Sequence, residues 1–447
     1  MNATTSTTRK AVIVGLGKTG VSAARHLLAR GWRVAVTDSR SAPPGREALA
    51  AFAPQVECRF GGFDSALLDG ADIVVASPGV APSESVLREA SARGLDIVGD
   101  VELFAREVRA PVIGITGTNG KSTVTTLVGR MAARAGVKVA VGGNLGTPAL
   151  DLLEGEAPTL FVLEISSFQL DTTRSLQLRA GTVLNVTPDH LDRYGDIERY
   201  AKAKAHIFEC CEIAVVNLDD PRVPHMPLAG QRVLGFSIDP ARKADYGLVQ
   251  VKGECWLAIA SQAVLAVSQL RLTGLHNVAN ALAALALGDA AGLPREAMLA
   301  ELREFTGLPH RSQWVAERRG VRYVNDSKGT NVGAAIAAVE GASGPLIMIA
   351  GGDGKDQDFS PLGPAFASRV RLAVLIGRDA PQLARALAGH CPTLFCSSLE
   401  EAVRMAADAA RPGDTVLLSP ACASLDMFRD YAHRGEVFAA AVEGLPA

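Results

Sequence analysis

Residues 114–123 read Gly-Ile-Thr-Gly-Thr-Asn-Gly-Lys-Ser-Thr. The apolar stretch Pro111–Ile115 leads into this segment, and a helical pattern, Val124–Ala135, follows it. A strand, a glycine-rich loop and a helix that starts at Lys-Ser form the turn that holds a nucleoside triphosphate: backbone N–H groups surround the phosphates, the lysine reaches the outer phosphates, and the hydroxyl reaches Mg²⁺. The segment therefore predicts an ATP site. Its residues are Gly117, Thr118, Asn119, Gly120, Lys121, Ser122 and Thr123.

The match to the phosphate-loop pattern G-x-x-x-x-G-K-[ST] is displaced by one position. The pattern requires its first glycine at Ile115, whereas this chain has Gly114. A flexible glycine-rich turn with a surface lysine is the alternative interpretation.

A second phosphate-binding pattern lies near the N-terminus. The short apolar strand Ala11–Gly15 leads into Gly-x-Gly-x-x-Gly, which ends at Gly20, and a helix and the strand Arg33–Thr37 come next. Asp38 stands 18 residues beyond Gly20, close to the ~20 of the dinucleotide-binding fingerprint. A nicotinamide-dependent dehydrogenase is therefore an alternative function. A UDP group satisfies the same pattern, and a simple dehydrogenase has no use for a second phosphate loop.

The bulk composition is that of a globular enzyme of about three domains. The 447 residues are 48% hydrophobic and 21% charged, with net charge −2, so no basic excess indicates nucleic acid. No apolar run reaches the ~20 residues of a membrane span, and the polar segment Met1–Lys10 lacks the apolar centre of a signal peptide. Seven cysteines without C-x-x-C spacing argue against disulfides and zinc, so we expect a cytoplasmic protein.

Apolar strands alternate with helical segments along most of the chain, which predicts an α/β fold with parallel sheets. We expect a Rossmann-like domain over 1–99, a central P-loop ATPase-like domain over 100–306 and a Rossmann-like α/β domain over 307–447. Residues 232–272 alternate in a way that predicts small antiparallel ribbons. The segment 419–428 follows a strand, and we expect it to open the last helix.

One acidic side chain, Glu164, and one basic side chain, Lys204, stand where Mg²⁺ would be held. Glu164 ends the buried-type strand Leu160–Glu164 beside the phosphate loop, where it can meet Mg²⁺ directly or through water; a carboxylate facing solvent is the alternative. Lys204 lies on the predicted helix Ile197–Phe208 and shares its face with an apolar stripe, whereas Lys202 points to water. The stripe consists of Tyr200, Ala201, Ile207 and Phe208.

Burial lowers the pKa of a lysine. A neutral Lys204 amine can add CO₂ and become a carbamate, which binds Mg²⁺ as a carboxylate does. A lysine that runs its stem along apolar surface to reach water is the alternative.

His190 follows the next predicted strand, 14 residues before Lys204. Later polar loops at 274–280, 307–311, 325–331, 351–356 and 419–426 have the composition of turns and helix caps, but three of them would line one rim of the last domain.

Taken together, these segments resemble the Mur ligase family over essentially the whole chain. Gly117–Ser122 is shared with folylpolyglutamate synthases, so it indicates only the superfamily. Three loops resemble the branch that adds D-glutamate. They are Asn325-Asp-Ser-Lys-Gly-Thr-Asn331, Ser419-Pro-Ala-Cys-Ala-Ser-Leu-Asp426 and Gly307-Leu-Pro-His-Arg311. The resemblance implies a monomeric ligase that uses ATP to join D-glutamate to UDP-N-acetylmuramoyl-L-alanine through an acyl phosphate. It also implies that this reaction is a step of peptidoglycan precursor synthesis, which serves cell wall biogenesis, cell shape and cell division. A folylpolyglutamate synthase-like ligase is the nearer alternative.

The resemblance also implies a role for each matching residue. Lys121, Glu164, His190 and Lys204 are the implied catalytic residues. Two Mg²⁺ ions are implied, held by Ser122, Glu164, His190 and carbamylated Lys204. ATP is implied to meet the phosphate loop together with Asn277, Asn280, Arg311 and Asp326. The UDP-sugar is implied to meet Thr19, Asp38, Arg40, Ser77, Gly79, Asn144, Ser166, Gln169 and His190. D-glutamate is implied to meet Lys328, Thr330, Lys355, Ser424 and Tyr431.

Two positions depart from the family pattern. Gly329 stands where alanine is expected, and we expect it to loosen the loop that carries Lys328. Tyr431 stands where phenylalanine is expected, and its hydroxyl is expected to change the affinity for D-glutamate without changing the class of reaction.

Overall fold

The computed structural model describes residues 8–272, 274–342 and 344–446, so most of the predicted polar segment Met1–Lys10 lies outside the described residues. The strands are β1 Lys10–Val14, β2 Arg33–Asp38, β3 Glu57–Phe60, β4 Ile73–Ala76, β5 Asp96–Val98, β6 Val112–Thr116, β7 Val139–Gly143, β8 Leu160–Glu164, β9 Leu178–Val183, β10 Cys211–Asn217, β11 Arg232–Phe236, β12 Tyr246–Val251, β13 Glu254–Ile259, β14 Gln262–Ala266, β15 Gln313–Arg318, β16 Val321–Asn325, β17 Leu346–Gly351, β18 Val370–Ile376, β19 Thr393–Phe395 and β20 Thr415–Leu418.

The helices are α1 Lys18–Ala29, α2 Arg46–Phe52, α3 Ser85–Ala92, α4 Asp100–Ala105, α5 Lys121–Arg134, α6 Ser167–Leu170, α7 Leu191–Tyr194, α8 Ile197–Ala205, α9 Leu275–Ala290, α10 Arg295–Glu304, α11 Val332–Gly341, α12 Leu362–Ala367, α13 Ala380–Leu387, α14 Leu399–Ala409 and α15 Tyr431–Glu443. Short 3₁₀ turns occur at Ser65–Leu68, Ala149–Leu153, His206–Phe208, Val223–His225 and Val267–Gln269.

The N-terminal sheet is parallel, with the order β3-β2-β1-β4-β5. The chain builds outward from β1 to β3 and then crosses to β4 on the other side. Parallel sheets bind ligands where the strand order reverses in this way, at the carboxyl ends of the strands. The reversal lies between β1 and β4, so it places Gly15, after β1, beside Ser77, after β4.

The central sheet has nine strands in the order β14-β13-β12-β11-β10-β9-β6-β8-β7. The prediction of antiparallel ribbons over 232–272 is correct for β12 to β14 and wrong for β11, which pairs in parallel with β10. The connection from Asn217 to Arg232 is long enough to carry the chain back for a parallel pair, whereas tight turns of a few residues join β12, β13 and β14.

The C-terminal sheet has the order β15-β16-β20-β17-β18-β19 and is parallel except at its edge, where β15 runs antiparallel to β16. The last helix begins at Tyr431, so the prediction that 419–428 opens it is wrong. Asp430 caps the helix instead, because its side chain accepts a hydrogen bond from the backbone N–H of His433 at 2.8 Å.

The fold is therefore α/β with one sheet in each of three successive parts of the chain, as expected. The boundaries at 99/100 and 306/307 stay a prediction. A continuous apolar core joins the first sheet to one face of the second, for example from Leu16 and Phe104 to Phe161. The third sheet has its own two core layers.

Within the described residues, no helix is long and apolar enough to cross a membrane. All seven cysteines are free thiols.

Candidate active site

The predicted phosphate loop connects β6 to α5. Gly120 has φ +83°, and a Cβ atom there would lie 2.4 Å from Oδ1 of Asn280, so glycine is required for two reasons. The Nζ atom of Lys121 donates hydrogen bonds to the carbonyl oxygens of Gly117 and Thr118, both at 2.8 Å. Burial lowers the pKa of Lys121. The loop therefore presents a pre-formed cradle with a folded-back lysine beside it.

Glu164 lies at the end of β8, beside this loop, and is only 3% exposed. Its Oε1 atom accepts a hydrogen bond from Nδ2 of Asn144 at 2.7 Å, while its Oε2 atom is buried without a hydrogen-bond partner among the described residues. Burial acts to raise the pKa of Glu164, but the charge of Lys121, the neighbouring hydroxyl of Ser122 and the bond from Asn144 outweigh it, so the pKa lies below its ordinary value. A buried, ionised oxygen with an open lone pair fits a divalent cation.

The described residues contain no group of three His, Cys, Asp or Glu side chains that could hold a metal. Of the four expected Mg²⁺ ligands, only Glu164 and His190 belong to these residue types. Ser122 and Lys204 are the others. The hydroxyl of Ser122 accepts a hydrogen bond from Nη2 of Arg311 at 2.7 Å.

Lys204 is buried as the helical periodicity of α8 predicts. Its side chain is 1% exposed, and all four residues of the predicted apolar stripe are buried, whereas Lys202 is exposed. The Nζ atom of Lys204 donates to the carbonyl oxygen of Gly117 at 2.9 Å and lies 4.3 Å from the centre of the Tyr200 ring. Burial, together with the charge of Lys121, places the pKa of Lys204 well below its ordinary value. The alternative of a lysine that reaches water is excluded by this burial.

His190 stands directly before the short helix α7, as its N-cap residue, in a left-handed conformation with φ +55°. This conformation turns the ring onto the edge of Phe168, with ring centres 4.8 Å apart. Burial lowers the pKa of His190, and the neighbouring carboxylate of Asp189 opposes that shift. A neutral imidazole at this position can accept a proton or donate a hydrogen bond.

Asp189 connects the central part of the chain to the C-terminal part, a contact that sequence reasoning missed. Its Oδ1 atom accepts a hydrogen bond from Nζ of Lys355 at 2.5 Å, and its Oδ2 atom accepts one from Nδ2 of Asn331 at 3.3 Å. Asn331 also donates to Oδ1 of Asn119, in the phosphate loop, at 3.2 Å. The pairs are separated by 166, 142 and 212 residues, so no local pattern could have predicted them.

These side chains line one cavity, the central cavity, of about 290 Å³. It is lined by Thr118, Asn119, Gly120, Lys121, Asn144, Glu164, Ser166, Ser167, Phe168, Asp189, His190, Tyr200, Lys204, Arg311, Lys328, Thr330, Asn331 and Lys355. Five of the lining side chains are lysine or arginine and two are carboxylates. An excess of cations in an enclosed space of low dielectric constant favours ligands with several negative charges.

A second cavity, the lateral cavity, of about 220 Å³, opens beside the phosphate loop between α9 and α11. Asn277 and Asn280 line it, and Nδ2 of Asn280 donates to Oδ1 of Asn277 at 3.2 Å. Asp326 also lines it, and burial raises the pKa of this carboxyl group to about 6. The apolar wall includes Phe236 and Leu272, so the cavity suits a flat, weakly polar group attached to the phosphates.

The third cavity, the N-terminal cleft, of about 760 Å³, lies at the strand-order reversal of the first sheet. Asp38 is 1% exposed there and accepts a hydrogen bond from the backbone N–H of Leu16 at 2.7 Å. Both of its oxygens also accept from the Arg40 guanidinium, at 2.9 and 2.7 Å. Burial opposes ionisation of Asp38, but the bonds from Arg40 and Leu16 prevail and lower its pKa. Thr19, Ser77 and Gly79 line the same cleft, as do Asn144 and Gln169.

The side-chain amide of Gln169 is already hydrogen-bonded within the protein, so it is less available for its expected contact with substrate. Its Nε2 atom donates to both oxygens of Asp100, at 3.3 and 3.0 Å, and its Oε1 atom accepts from the backbone N–H of Ser166 at 3.1 Å. Gln169 is 2% exposed, whereas Ser166 is half-buried at the mouth of the central cavity. The geometry therefore gives Gln169 a holding role toward Ser166, and its contact with substrate stays a prediction.

Four of the five residues expected to meet D-glutamate line the cavities. Lys328, Thr330 and Lys355 line the central cavity, and Tyr431 lines the N-terminal cleft. Nζ of Lys328 lies 3.9 Å from the centre of the Tyr431 ring, and burial lowers the pKa of Lys328 to about 8. Among the described residues, Ser424 lines neither space; it is 4% exposed on the loop after β20.

Hydrogen bonds hold the loop at Gly329, which was expected to be loose. The backbone N–H of Gly329 donates to the carbonyl oxygen of Asp326 at 2.8 Å, and its carbonyl oxygen accepts from Ala421 at 2.9 Å. A Cβ atom at this position would lie 2.6 Å from both Oδ2 of Asp326 and Oγ of Ser419. The glycine therefore allows a close packing of two loops.

Arg434 connects two loops of the C-terminal part, a contact that the sequence did not reveal. It is completely buried on α15 and donates hydrogen bonds to the carbonyl oxygens of Ser327, at 2.8 Å, and Cys422, at 3.1 Å. These two residues belong to the loops after β16 and β20. A buried arginine that satisfies several carbonyl groups fixes the loops relative to one another.

Comparison with known proteins gives matches along the whole chain. The model of the Mur ligase MurD-like N-terminal domain matches residues 9–99, that of the Mur ligase middle domain matches 115–288, and that of the Mur ligase glutamate ligase domain matches 310–422. The chain is 53% identical over 433 residues to UDP-N-acetylmuramoylalanine–D-glutamate ligase of Nitrosococcus oceani, with 96% of each chain covered. It is 50% identical over 436 residues to the enzyme of the same name from Methylococcus capsulatus, with 98% and 95% covered.

Solved structures resemble the fold at lower identity. UDP-N-acetylmuramate-alanine ligase MurC of Thermotoga maritima has a TM-score of 0.62 at 19% identity, covering 97% of this chain and 99% of that one. A pseudomurein peptide ligase type C of Methanothermus fervidus has a TM-score of 0.62 at 20% identity, covering 92% and 96%.

Proposed function

The chain belongs to the Mur ligase family, and from that premise we propose that it joins D-glutamate to the L-alanyl carboxylate of UDP-N-acetylmuramoyl-L-alanine with cleavage of ATP. Relatives that share about half of its residues over nearly the whole length carry this activity in their names. The reaction is a step of peptidoglycan precursor synthesis. All three substrates are anionic.

The observation that carries the proposal is the convergence of cations from separate parts of the chain on the central cavity. Lys121 comes from the phosphate loop, and Arg311, Lys328 and Lys355 come from the C-terminal part. A phosphoryl group, an alanyl carboxylate and two glutamate carboxylates must meet in one place for the reaction. An enclosed, cationic space at the end of a phosphate loop supports that meeting.

The first chemical step makes the carboxylate reactive. A carboxylate is a poor electrophile, so one of its oxygens attacks the γ-phosphorus of ATP, the bond to the β-phosphate oxygen breaks, and ADP leaves an acyl phosphate behind. We propose that Lys121 neutralises charge on the transferred group together with Arg311, which comes from the C-terminal part and donates a hydrogen bond to Ser122. Positioning and charge neutralisation supply most of the catalysis in such a transfer.

We propose Ser122, Glu164, His190 and Lys204 as the residues that hold two Mg²⁺ ions, with Lys204 acting as a carbamate. When bound, the ions neutralise phosphate charge that develops during the transfer. Carbamate formation joins the neutral Nζ of Lys204 to the carbon of CO₂ and releases one proton. The lowered pKa of Lys204 favours it, since the amine must be uncharged to react.

The second step forms the amide bond. The neutral amine of D-glutamate attacks the acyl carbon, a tetrahedral intermediate forms, the nitrogen gives one proton to the leaving phosphate, and inorganic phosphate leaves with the oxygen that came from the carboxylate. His190 is a candidate for stabilising that intermediate. Lys328, Thr330, Lys355, Ser424 and Tyr431 are the proposed D-glutamate contacts. The hydrogen bonds that Lys355 and Asn331 donate to Asp189 hold the C-terminal part over the cavity, which keeps water from the acyl phosphate.

Phosphate release tests the proposal. The purified protein is supplied with ATP, Mg²⁺ and UDP-N-acetylmuramoyl-L-alanine, and a panel of D- and L-amino acids is added one at a time. We expect release only with both acceptor and D-glutamate. A requirement for nicotinamide, or preference for a folate acceptor, would favour one of the two alternatives instead. Release that is equal without acceptor and amino acid would contradict the proposal.

A further inference from the structure

Arg193, on the short helix α7, connects the N-terminal cleft to the central cavity. Its Nη1 atom donates a hydrogen bond to the carbonyl oxygen of Pro78 at 2.7 Å. The carbon of its guanidinium group lies 4.0 Å from the centre of the Phe168 ring. The side chain is 14% exposed. One planar group therefore touches a loop and a short helix, α6, that are about 90 residues apart in the chain.

The two contacted residues belong to different walls. Pro78 lines the N-terminal cleft between Ser77 and Gly79, which also line it. Phe168 lines the central cavity, where its ring meets His190 edge-on. A displacement of Arg193 would therefore change the position of one wall relative to the other.

We propose that Arg193 is a positioning residue that sets the distance between the cleft that holds the UDP end of the acceptor and the cavity where its alanyl carboxylate reacts. This inference rests on the proposed function, because only a ligand that spans both spaces is sensitive to their separation. Such a ligand binds as two linked modules, and its affinity depends on the geometry that allows both ends to bind at once.

The chemistry of the guanidinium group suits this role better than that of an ammonium group. A planar cation stacks on an aromatic ring and still donates hydrogen bonds from its edge, whereas a lysine ammonium cannot do both with one orientation. The nearest carboxylate is that of Asp171, whose Oδ2 atom lies 3.9 Å from Nη2 of Arg193 and accepts a hydrogen bond from Tyr194.

The Nε atom of Arg193 is buried without a hydrogen-bond partner among the described residues. Leaving a buried donor unsatisfied costs free energy. An arginine that served only to stabilise this interface would gain from a nearby acceptor for Nε. The contacts to Pro78 and Phe168 therefore fix the position of the Arg193 side chain. A contribution to stability alone does not explain that position.

Comparing the binding of UDP-N-acetylmuramoyl-L-alanine with that of UDP alone distinguishes a changed separation of the two spaces from a local effect on the N-terminal cleft. Arg193→Met keeps an unbranched apolar side chain and removes the donors and the charge. By calorimetry without ATP, we expect this variant to bind UDP-N-acetylmuramoyl-L-alanine about tenfold more weakly than the unchanged protein, while UDP alone binds within twofold. In steady-state assays we expect a tenfold higher KM for the acceptor and a KM for ATP within twofold. Arg193→Lys is expected to lose about threefold in acceptor affinity.

Arg25 provides a matched control at the same domain interface. Its guanidinium lies 5.2 Å from the ring centre of Phe52 and 3.5 Å from Oδ1 of Asp151, away from all three cavities. Arg25→Met is expected to leave both affinities unchanged. Equal weakening of UDP and acceptor, no weakening of either, or the same loss in Arg25→Met would overturn the inference. Failure of the unchanged protein to turn over would instead contradict the proposed function.

Discussion

Lys204 and Lys202 stand two residues apart on α8, yet one is 1% exposed and the other is exposed to solvent. The helical period alone predicts this difference, because the buried neighbours of Lys204 recur at three- and four-residue intervals. The period does not predict what Lys204 faces. That is decided by β6 and the phosphate loop, whose Gly117 carbonyl accepts the Nζ hydrogen bond 87 residues away.

We predict that Lys204→Ala lowers kcat at least a thousandfold, because it removes the proposed carbamate from the Mg²⁺ site. Short carboxylic acids added to the variant should restore part of the activity, since they can supply the missing carboxylate. Added bicarbonate should raise the activity of the unchanged protein when CO₂ is limiting. Phosphate release measures all three.

Lys202→Ala is the control, because it removes an exposed lysine from the same helix. It should retain ordinary kcat and show no response to carboxylic acids. An alanine variant of Lys204 with ordinary rates would rule out the carbamate.

The contacts of Asp189 show where prediction from single residues of the sequence fails. Its own loop is visible in the sequence as a polar cluster after a strand, but its partners Lys355 and Asn331 come from another sheet. Long-range pairs depend on how the domains pack, and a single sequence holds no local signal for that packing.

Helix α4, Asp100–Ala105, joins the first sheet to the second and carries two buried carboxylates. Asp100 accepts hydrogen bonds from Gln169, and Glu102 accepts them from the backbone N–H groups of Arg174 and Ser175 at 2.8 and 3.0 Å. Phe104 packs edge-on against Phe161, with ring centres 5.1 Å apart. The helix therefore docks through both polar and apolar contacts.

Burial raises the pKa of Asp100 from 3.8 to about 6, which makes stability depend on pH. Since the folded state binds the proton more tightly than the unfolded state, the stabilising effect is complete below the unfolded pKa and is lost as pH rises through the folded value. Asp100→Asn cannot titrate. We predict that lowering the pH from 7.5 to 5 stabilises the unchanged protein, relative to this variant, by about 1 kcal/mol.

Thermal unfolding of both proteins at several pH values measures the effect as a difference in melting temperature, which cancels the other titrating groups. The difference should move in favour of Asp100 as the pH falls through 6. A difference that is constant with pH, or that moves in the opposite direction, would show that Asp100 is ionised in the folded protein over this range.

Elements with strong patterns were predicted well, and short or partly exposed ones were missed. The strand Leu160–Glu164, for example, is buried on both faces and reads as a continuous apolar run. The strand Val139–Gly143 contains two glycines, and Gln313–Arg318 lies at a sheet edge with polar residues. Both escaped prediction, because edge strands lack the two-sided burial that produces the pattern.

At the scale of the molecule, three sheets place their loops around adjoining cavities. The order of α and β segments predicts three domains, and the carboxyl ends of parallel strands predict the position of the ligand loops. The sequence contains no comparable signal for the approach of Arg311 to Ser122 or of Tyr431 to the N-terminal cleft. These contacts arise from domain packing, and they are what makes one reaction site from three folds.

In the proposed reaction, ATP activates the alanyl carboxylate as an acyl phosphate. The most direct test uses UDP-N-acetylmuramoyl-L-alanine with ¹⁸O in both oxygens of that carboxylate, together with ATP, Mg²⁺ and D-glutamate. Mass spectrometry of the inorganic phosphate should find one ¹⁸O atom in each molecule, and the new amide should retain the other. Unlabelled phosphate, formed at the same rate as the amide product, would contradict the account.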